Sequence, residues 1–182
     1  MIGALSCESP CVVELAAVAL GQMRVTRLLT DQAASPAVPA LIGALKHPRY
    51  RVRRRVVFTL RYMGTIAAEA IPALIDALED PEFGFLKPED GEVVADSSRS
   101  SDCSDIRWCV AAALGEIYAA PSVIEALAKA LGDPNECVAS SAASVLGGWG
   151  LTASPASPAL ASYLERLLNK EKVEGWPKQR LG

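Results

Sequence analysis

The sequence predicts an all-α fold, a right-handed α–α superhelix of about four helix pairs with a long loop inserted in the third pair. Composition is the first reason. Of the 182 residues 51% are apolar but only 5% aromatic, so the core must be assembled from Ala, Leu, Val and Ile at close range, which favours helices. The second reason is a pair of leucines four apart that keeps returning: Leu41/Leu45, Leu74/Leu78, Leu127/Leu131 and Leu160/Leu164, with Met1/Leu5 as an N-terminal echo. Leu45 to Leu78 and Leu131 to Leu164 each span 33 residues, the length of a helix–turn–helix repeat. The third is an apolar pattern at offsets 0, 4, 5, 8 and 11, which marks one face of a three-turn helix. It reads Val12, Ala16, Ala17, Leu20, Met23; then Val52, Val56, Val57, Leu60, Met63; then Ile106, Val110, Ala111, Leu114, Ile117; and last Val138, Ala142, Ala143, Leu146, Trp149.

The leucine pairs define first helices at about 37–46, 69–79, 121–132 and 156–169. Pro39, Pro72 and Pro158 stand in their first turns, where a missing N–H costs no helical hydrogen bond. Pro48, Pro81 and Pro134 follow the last leucine of three of them and stop the helix. The five-position pattern defines second helices at about 11–23, 50–63, 105–118 and 135–149. One pair cannot bury its apolar side alone, so the pairs must stack. The start MIGAL matches LIGAL at 41–45, which places it inside a first helix with no polar cap over it, and self-association through that apolar end is one expectation.

The second helices resemble those of the HEAT family, particularly the short bacterial kind described as phycobilisome-lyase-like repeats. IRWCVAAALGEIY (106–118) follows the family signature closely, VRRRVVFTLRYMG (52–64) keeps its spacing with bulkier residues, and VASSAASVLGGWG (138–150) and VVELAAVALGQMR (12–24) lack its arginine. The resemblance implies a solenoid whose second helices line the concave surface. It also implies that Arg53 and Arg107 are ladder arginines that tie neighbouring repeats, with Asp133 as the partner of Arg107.

Leu78 to Leu131 spans 53 residues instead of 33, so the third pair carries an insertion at 82–104. Its segment EFGFLKPEDGEVVADSSRSSDCSD is acidic and without period, which predicts a loop, either surface decoration or a binding element. Residues 1–170 then form one solenoid domain, and 171–182, with Trp176, a tail expected to be disordered. Five cysteines without CxxC spacing and a single histidine, His47, make a zinc site improbable and predict buried, reduced thiols. No metal or other cofactor is expected. With no run of eighteen apolar residues and no signal-peptide pattern, the chain is expected to be cytoplasmic, with no membrane partner.

Half of the arginines fall in thirteen residues: Arg49, Arg51, Arg53, Arg54, Arg55 and Arg61. At 100° per residue, the side of the 50–63 helix opposite the buried stripe carries Arg51, Arg54, Phe58, Arg61 and Tyr62. The same register gives Trp108 and Glu116 in the next second helix, Glu14, Val18 and Gln22 in the first, and Ser140, Ser144 and Gly148 in the last. Arg, Tyr and Trp dominate binding hot spots, so Arg51, Arg54, Phe58, Arg61, Tyr62, Trp108 and Glu116 are the candidate partner-binding residues.

The function expected is a scaffold or adaptor that binds a protein partner, not an enzyme. No catalytic residues are assigned, because no nucleophile–base–acid set and no Gly-rich phosphate loop is present. Two alternatives stay open. One is a subunit of a phycobilin-lyase-like enzyme, which the resemblance suggests. The other is phosphate or nucleic-acid contact through the arginines, which a net charge of −3 opposes.

Overall fold

A computed structural model describes residues 2–6, 9–26, 28, 30–84 and 105–174. Among them the regular structure is helical, with no strand. The elements are α1 (Pro10–Val25), α2 (Asp31–Ala34), α3 (Val38–Ala44), α4 (Tyr50–Met63), α5 (Ile71–Glu79), α6 (Arg107–Ile117), α7 (Pro121–Ala130), α8 (Glu136–Trp149) and α9 (Ser157–Glu174), with 3-10 turns between several of them. They sort into two layers. The second helices stack in the order α1, α4, α6, α8, while α5, α7 and α9 stack in the other layer, where α3 joins α5 through the 3-10 segment 64–70. Within the pairs α3 packs on α4, α5 on α6 and α7 on α8. This is a helical-repeat solenoid.

The first helices carry proline in their first turn as expected: Pro39, Pro72 and Pro158 are the second residues of α3, α5 and α9, and α7, for which no proline was expected, starts on Pro121. Two of the second helices end on glycine at the same register. Gly64 closes α4 with φ 58° and Gly150 closes α8 with φ 55°, a left-handed backbone that a Cβ would strain. Each then leads into a 3-10 segment of seven residues that turns the chain back to the first-helix layer.

Burial follows the five-position pattern where the stack is complete. In α4 and α6, which have a neighbour on both sides in their layer, Val52, Val56, Val57, Leu60 and Met63, and Ile106, Val110, Ala111, Leu114 and Ile117, are all buried. The departures lie at the two ends of the layer, where a helix has a single layer neighbour. Val12 of α1 is 39% exposed and Met23 half-buried; Ala143 and Trp149 of α8 are half-buried. The leucine register breaks for the same reason. In α9, the last helix, Tyr163 is the buried residue, while Leu164 is 57% exposed and Leu160 half-buried. The helix also continues to Glu174, past the boundary expected at 170; residues 175–182, with Trp176, lie outside the described residues.

The insertion begins later than its composition indicated. Residues 81–84 form a 3-10 turn on the stack, and the Ile106 N–H donates to the Gly84 carbonyl at 3.2 Å, so the chain leaves and re-enters the fold at one point. Residues 85–104 lie outside the described residues. Asp105, grouped by sequence with the acidic loop, is fully buried.

That burial is accommodated by one polar cluster. Asp105 Oδ1 accepts the Arg107 N–H at 2.9 Å, and Oδ2 accepts from Arg107 Nε at 2.9 Å, from Nη2 at 2.6 Å and from Asn135 Nδ2 at 3.3 Å. Arg107 Nη1 reaches Asp133 Oδ2 at 2.6 Å, the ladder pairing expected from the resemblance. Asp133 Oδ1 accepts the Asn135 N–H at 2.8 Å, and Asn135 in turn caps α8 through the Cys137 N–H at 2.9 Å. Burial by itself pushes the Arg107 pKa down, but the hydrogen bonds and charges of Asp105 and Asp133 outweigh it and leave the guanidinium more basic than usual. Arg53, one repeat earlier, plays the same bridging part with different partners. Its guanidinium donates to the carbonyls of His47, Pro48 and Phe83 and lies 5.6 Å from the Phe83 ring centre.

The cysteines depart from the expectation of buried thiols. Cys109 is buried and free, but Cys11 is free and exposed on α1, a helix with one layer neighbour among the described residues, and Cys137 is disulfide-bonded. Cys7 and Cys103 lie outside the described residues.

Candidate partner-binding face

The α1–α4–α6–α8 layer has one face buried against the first helices and the other open, and the open face carries the predicted residues. Arg51 and Tyr62 of α4 are exposed, and Arg54, Phe58 and Arg61 are half-buried. Trp108 and Glu116 of α6 are half-buried and exposed, respectively. Ser140, Ser144 and Gly148 of α8 are exposed, and Val18 and Gln22 of α1 are half-buried and exposed. Helical periodicity explains the sorting: with Val56, Val57 and Leu60 buried, positions 54, 58, 61 and 62 must point away.

Local contacts hold this face together. The Arg54 guanidinium sits 5.8 Å from the Phe58 ring centre, a cation–π pair within the helix. Arg61 pairs with Glu116 of α6 at 3.7 Å, and Arg55 with Glu14 of α1 at 3.5 Å, so α4 is tied to both neighbours by exposed ion pairs. Each such pair is worth about 0 to 1 kcal/mol, so they orient the arginines more than they stabilise the stack. Below them the Thr59 hydroxyl meets the Ala17 carbonyl at 2.8 Å, and the Ser141 hydroxyl donates to the Trp108 carbonyl at 2.9 Å, which fixes α1 against α4 and α8 against α6. A concavity of about 180 Å³ opens between α1 and α4, lined by Val18, Gly21, Gln22, Arg54, Arg55, Phe58, Thr59 and Tyr62. Thr59 and Gly21 are members that the helical-face reading missed; they are small residues on the flank where α1 and α4 meet.

Under this face lies Cys109. Burial pushes its thiol pKa up to about 12, against the opposing charges of Arg54 and Arg61, so the sulfur stays protonated and a poor nucleophile at neutral pH. Among the described residues no three His, Cys, Asp or Glu side chains are grouped so that they could hold a metal ion. No described helix is long and apolar enough to cross a membrane.

The repeat geometry agrees with the comparison to known sequences, in which the profile for HEAT repeats matches residues 1–87. The first 87 residues are HEAT repeats. The helical repeat does not stop there, because α6 and α8 carry the same five-position pattern and the same layer contacts. Among solved structures 37 chains match. One is the crystal structure of an engineered protein, 16% identical, with a TM-score of 0.58 over 89% of this chain and 66% of that chain. The chain thus spans just under two thirds of that protein's length, and the likeness concerns the fold alone. No curated protein matches the chain. Nothing in these matches singles out the phycobilisome-lyase-like branch whose signature 106–118 resembles.

Proposed function

We propose that this HEAT-repeat chain is a non-enzymatic scaffold that docks a protein segment across the open face of α4 and α6, with Arg54, Phe58, Tyr62 and Trp108 as its anchors and Arg51, Arg61 and Glu116 at its margin. One observation carries the reading. Three aromatic side chains stay partly exposed beside arginines on two adjacent helices whose opposite faces are buried. Tyr62 is 49% exposed, which leaves a large ring in water that a partner would cover. In HEAT-like stacks this layer is the concave one, so an extended or helical segment lying along it would touch α1, α4, α6 and α8 in turn. A chain of this kind acts in the cytoplasm, without membrane or cofactor.

The test is capture of the partner by the whole chain and by the triple variant Arg54→Ala, Phe58→Ala, Trp108→Ala. Phe58 and Trp108 also pack against the core, so the triple variant is expected to melt lower, and capture is compared at a temperature where its helical circular dichroism matches that of the unaltered chain. Hot-spot anchors cost about 1 to 2 kcal/mol each, so the triple variant should bind at least about a hundredfold more weakly. Undiminished capture by the triple variant would refute the face. Titration with duplex DNA at two salt concentrations distinguishes phosphate contact: a steep salt slope belongs to a nucleic-acid ligand, a flat one to the protein partner proposed.

A further inference from the structure

A larger concavity lies in the other layer. Between α3 and α5 an open cleft of about 690 Å³ is floored by Ile42, Leu45, Ala73, Ala77 and Phe83. This volume is within the range of ligand sites, roughly 300 to 1,000 Å³, and holds several side chains at once. It exists because α5 presents alanine at 73 and 77, four apart, where leucine-sized residues would fill the space.

The charges around that floor are unequal. Glu69, Asp76, Asp80 and Glu82 line the α5 side, against Lys46, His47 and Arg53 on the α3–α4 side. Arg53 is only 6% exposed, and its donors are directed at the carbonyls of His47, Pro48 and Phe83, which leaves its charge turned into the protein. His47 Nδ1 accepts the Arg49 backbone N–H at 3.1 Å, which turns this edge of the ring toward its own turn. Asp80 Oδ1 accepts the Glu82 N–H at 2.9 Å and shapes the turn. Glu69 and Asp76 stand exposed at the mouth, with Lys46 as the exposed cation opposite.

An apolar floor under a carboxylate rim matches a cation on an aliphatic stem, which can lay its methylenes on the floor and its charge at the rim. We infer that this cleft docks a second protein segment, one that carries lysine or arginine next to leucine-sized residues. It lies on the first-helix layer and shares no residue with the Arg54–Phe58–Trp108 face, so it does not depend on the function proposed for that face.

The probe is a fluorescein-labelled peptide of alternating leucine and lysine, read by fluorescence anisotropy against the full chain. Saturable binding is expected, weakened at least about tenfold by the double variant Glu69→Lys, Asp76→Lys, and as strongly by Ala73→Trp, which fills the cleft without changing its charge. The triple variant Arg54→Ala, Phe58→Ala, Trp108→Ala should bind the peptide as the unaltered chain does. A glycine–lysine peptide should bind more weakly, since it lacks apolar side chains for the floor. Absence of binding overturns the inference, as does equal binding of a leucine–glutamate peptide. Tight binding that survives Ala73→Trp in a variant with an unchanged helical spectrum does so too.

Discussion

Replacing Arg107 by alanine is expected to lower the stability of the protein by about 3 to 5 kcal/mol, because it strands a buried carboxylate. Asp105 is fully buried, and three of its hydrogen bonds come from Arg107. Two of the three, those from Nε and Nη2, vanish with the side chain, and Asp133 loses both guanidinium contacts as well. For a domain of this size the loss corresponds to a drop of roughly 6 to 20 °C in melting temperature. Arg107→Lys should recover only part of it, since a single ammonium cannot serve both carboxylates in the forked geometry of the guanidinium. Removing both partners, with Arg107→Leu and Asp105→Ala, should cost less than Arg107→Ala alone, because the fully buried carboxylate goes with its guanidinium and only Asp133, 13% exposed, is left without its arginine. A loss of under 1 kcal/mol for Arg107→Ala in urea unfolding would show that the cluster is not closed to water as described.

The second large effect is expected at Gly84. A Cβ built there would lie 1.7 Å from Asp105 Oδ1 and 2.4 Å from its Cγ, far inside contact distance. Asp105 cannot step aside, since Arg107 and Asn135 hold its oxygens. Gly84→Ala should therefore cost about 3 kcal/mol, at the upper end of ordinary overpacking. The cause is specific enough to be separated by a double-mutant cycle. In a background of Asp105→Ala, where the clashing atoms are gone, the added cost of Gly84→Ala should fall to about 1 kcal/mol or less. Equal costs in both backgrounds would place the strain in the backbone turn instead of at the carboxylate.

These two positions also mark what could and could not be read from the sequence. The repeat was legible because a helix stacked between two neighbours must bury one whole face, and α4 and α6 do so at all ten pattern positions. The same rule weakens at the ends of a layer, so Val12, Ala143 and Trp149 keep the pattern in sequence without full burial. Leu164 keeps the register of the leucine pairs in α9 without being buried, because among the described residues no further helix covers it. Arg107 and Asp133 were paired correctly because the ladder belongs to the repeat itself. Asp105 was not, since it follows an acidic, aperiodic stretch and composition there speaks for a loop. Its place two residues before the arginine, at the start of α6, was the available signal. On the open face, helical geometry was enough to choose the side on which Arg51, Arg54, Phe58, Arg61, Tyr62, Trp108 and Glu116 lie. The Arg61–Glu116 and Arg55–Glu14 pairs depend on how closely neighbouring repeats approach, which no single-helix pattern contains. The α3–α5 cleft escaped for the same reason. It is a space between repeats, announced only by the alanines at 73 and 77.

The central claim is that the open face of α4 and α6 is where a protein partner sits, and a photo-crosslinking residue placed at position 62 tests it most directly. Tyr62 is exposed in the middle of the proposed face, whereas Glu125, on α7 in the other layer, is exposed far from it in the repeat pattern and serves as the control. Irradiation in cell extract should yield a discrete adduct from position 62, absent from position 125 and lost when Arg54, Phe58 and Trp108 are replaced by alanine. Equal adducts from both positions, or an adduct at 62 that persists in the triple variant, would contradict the assignment of this face.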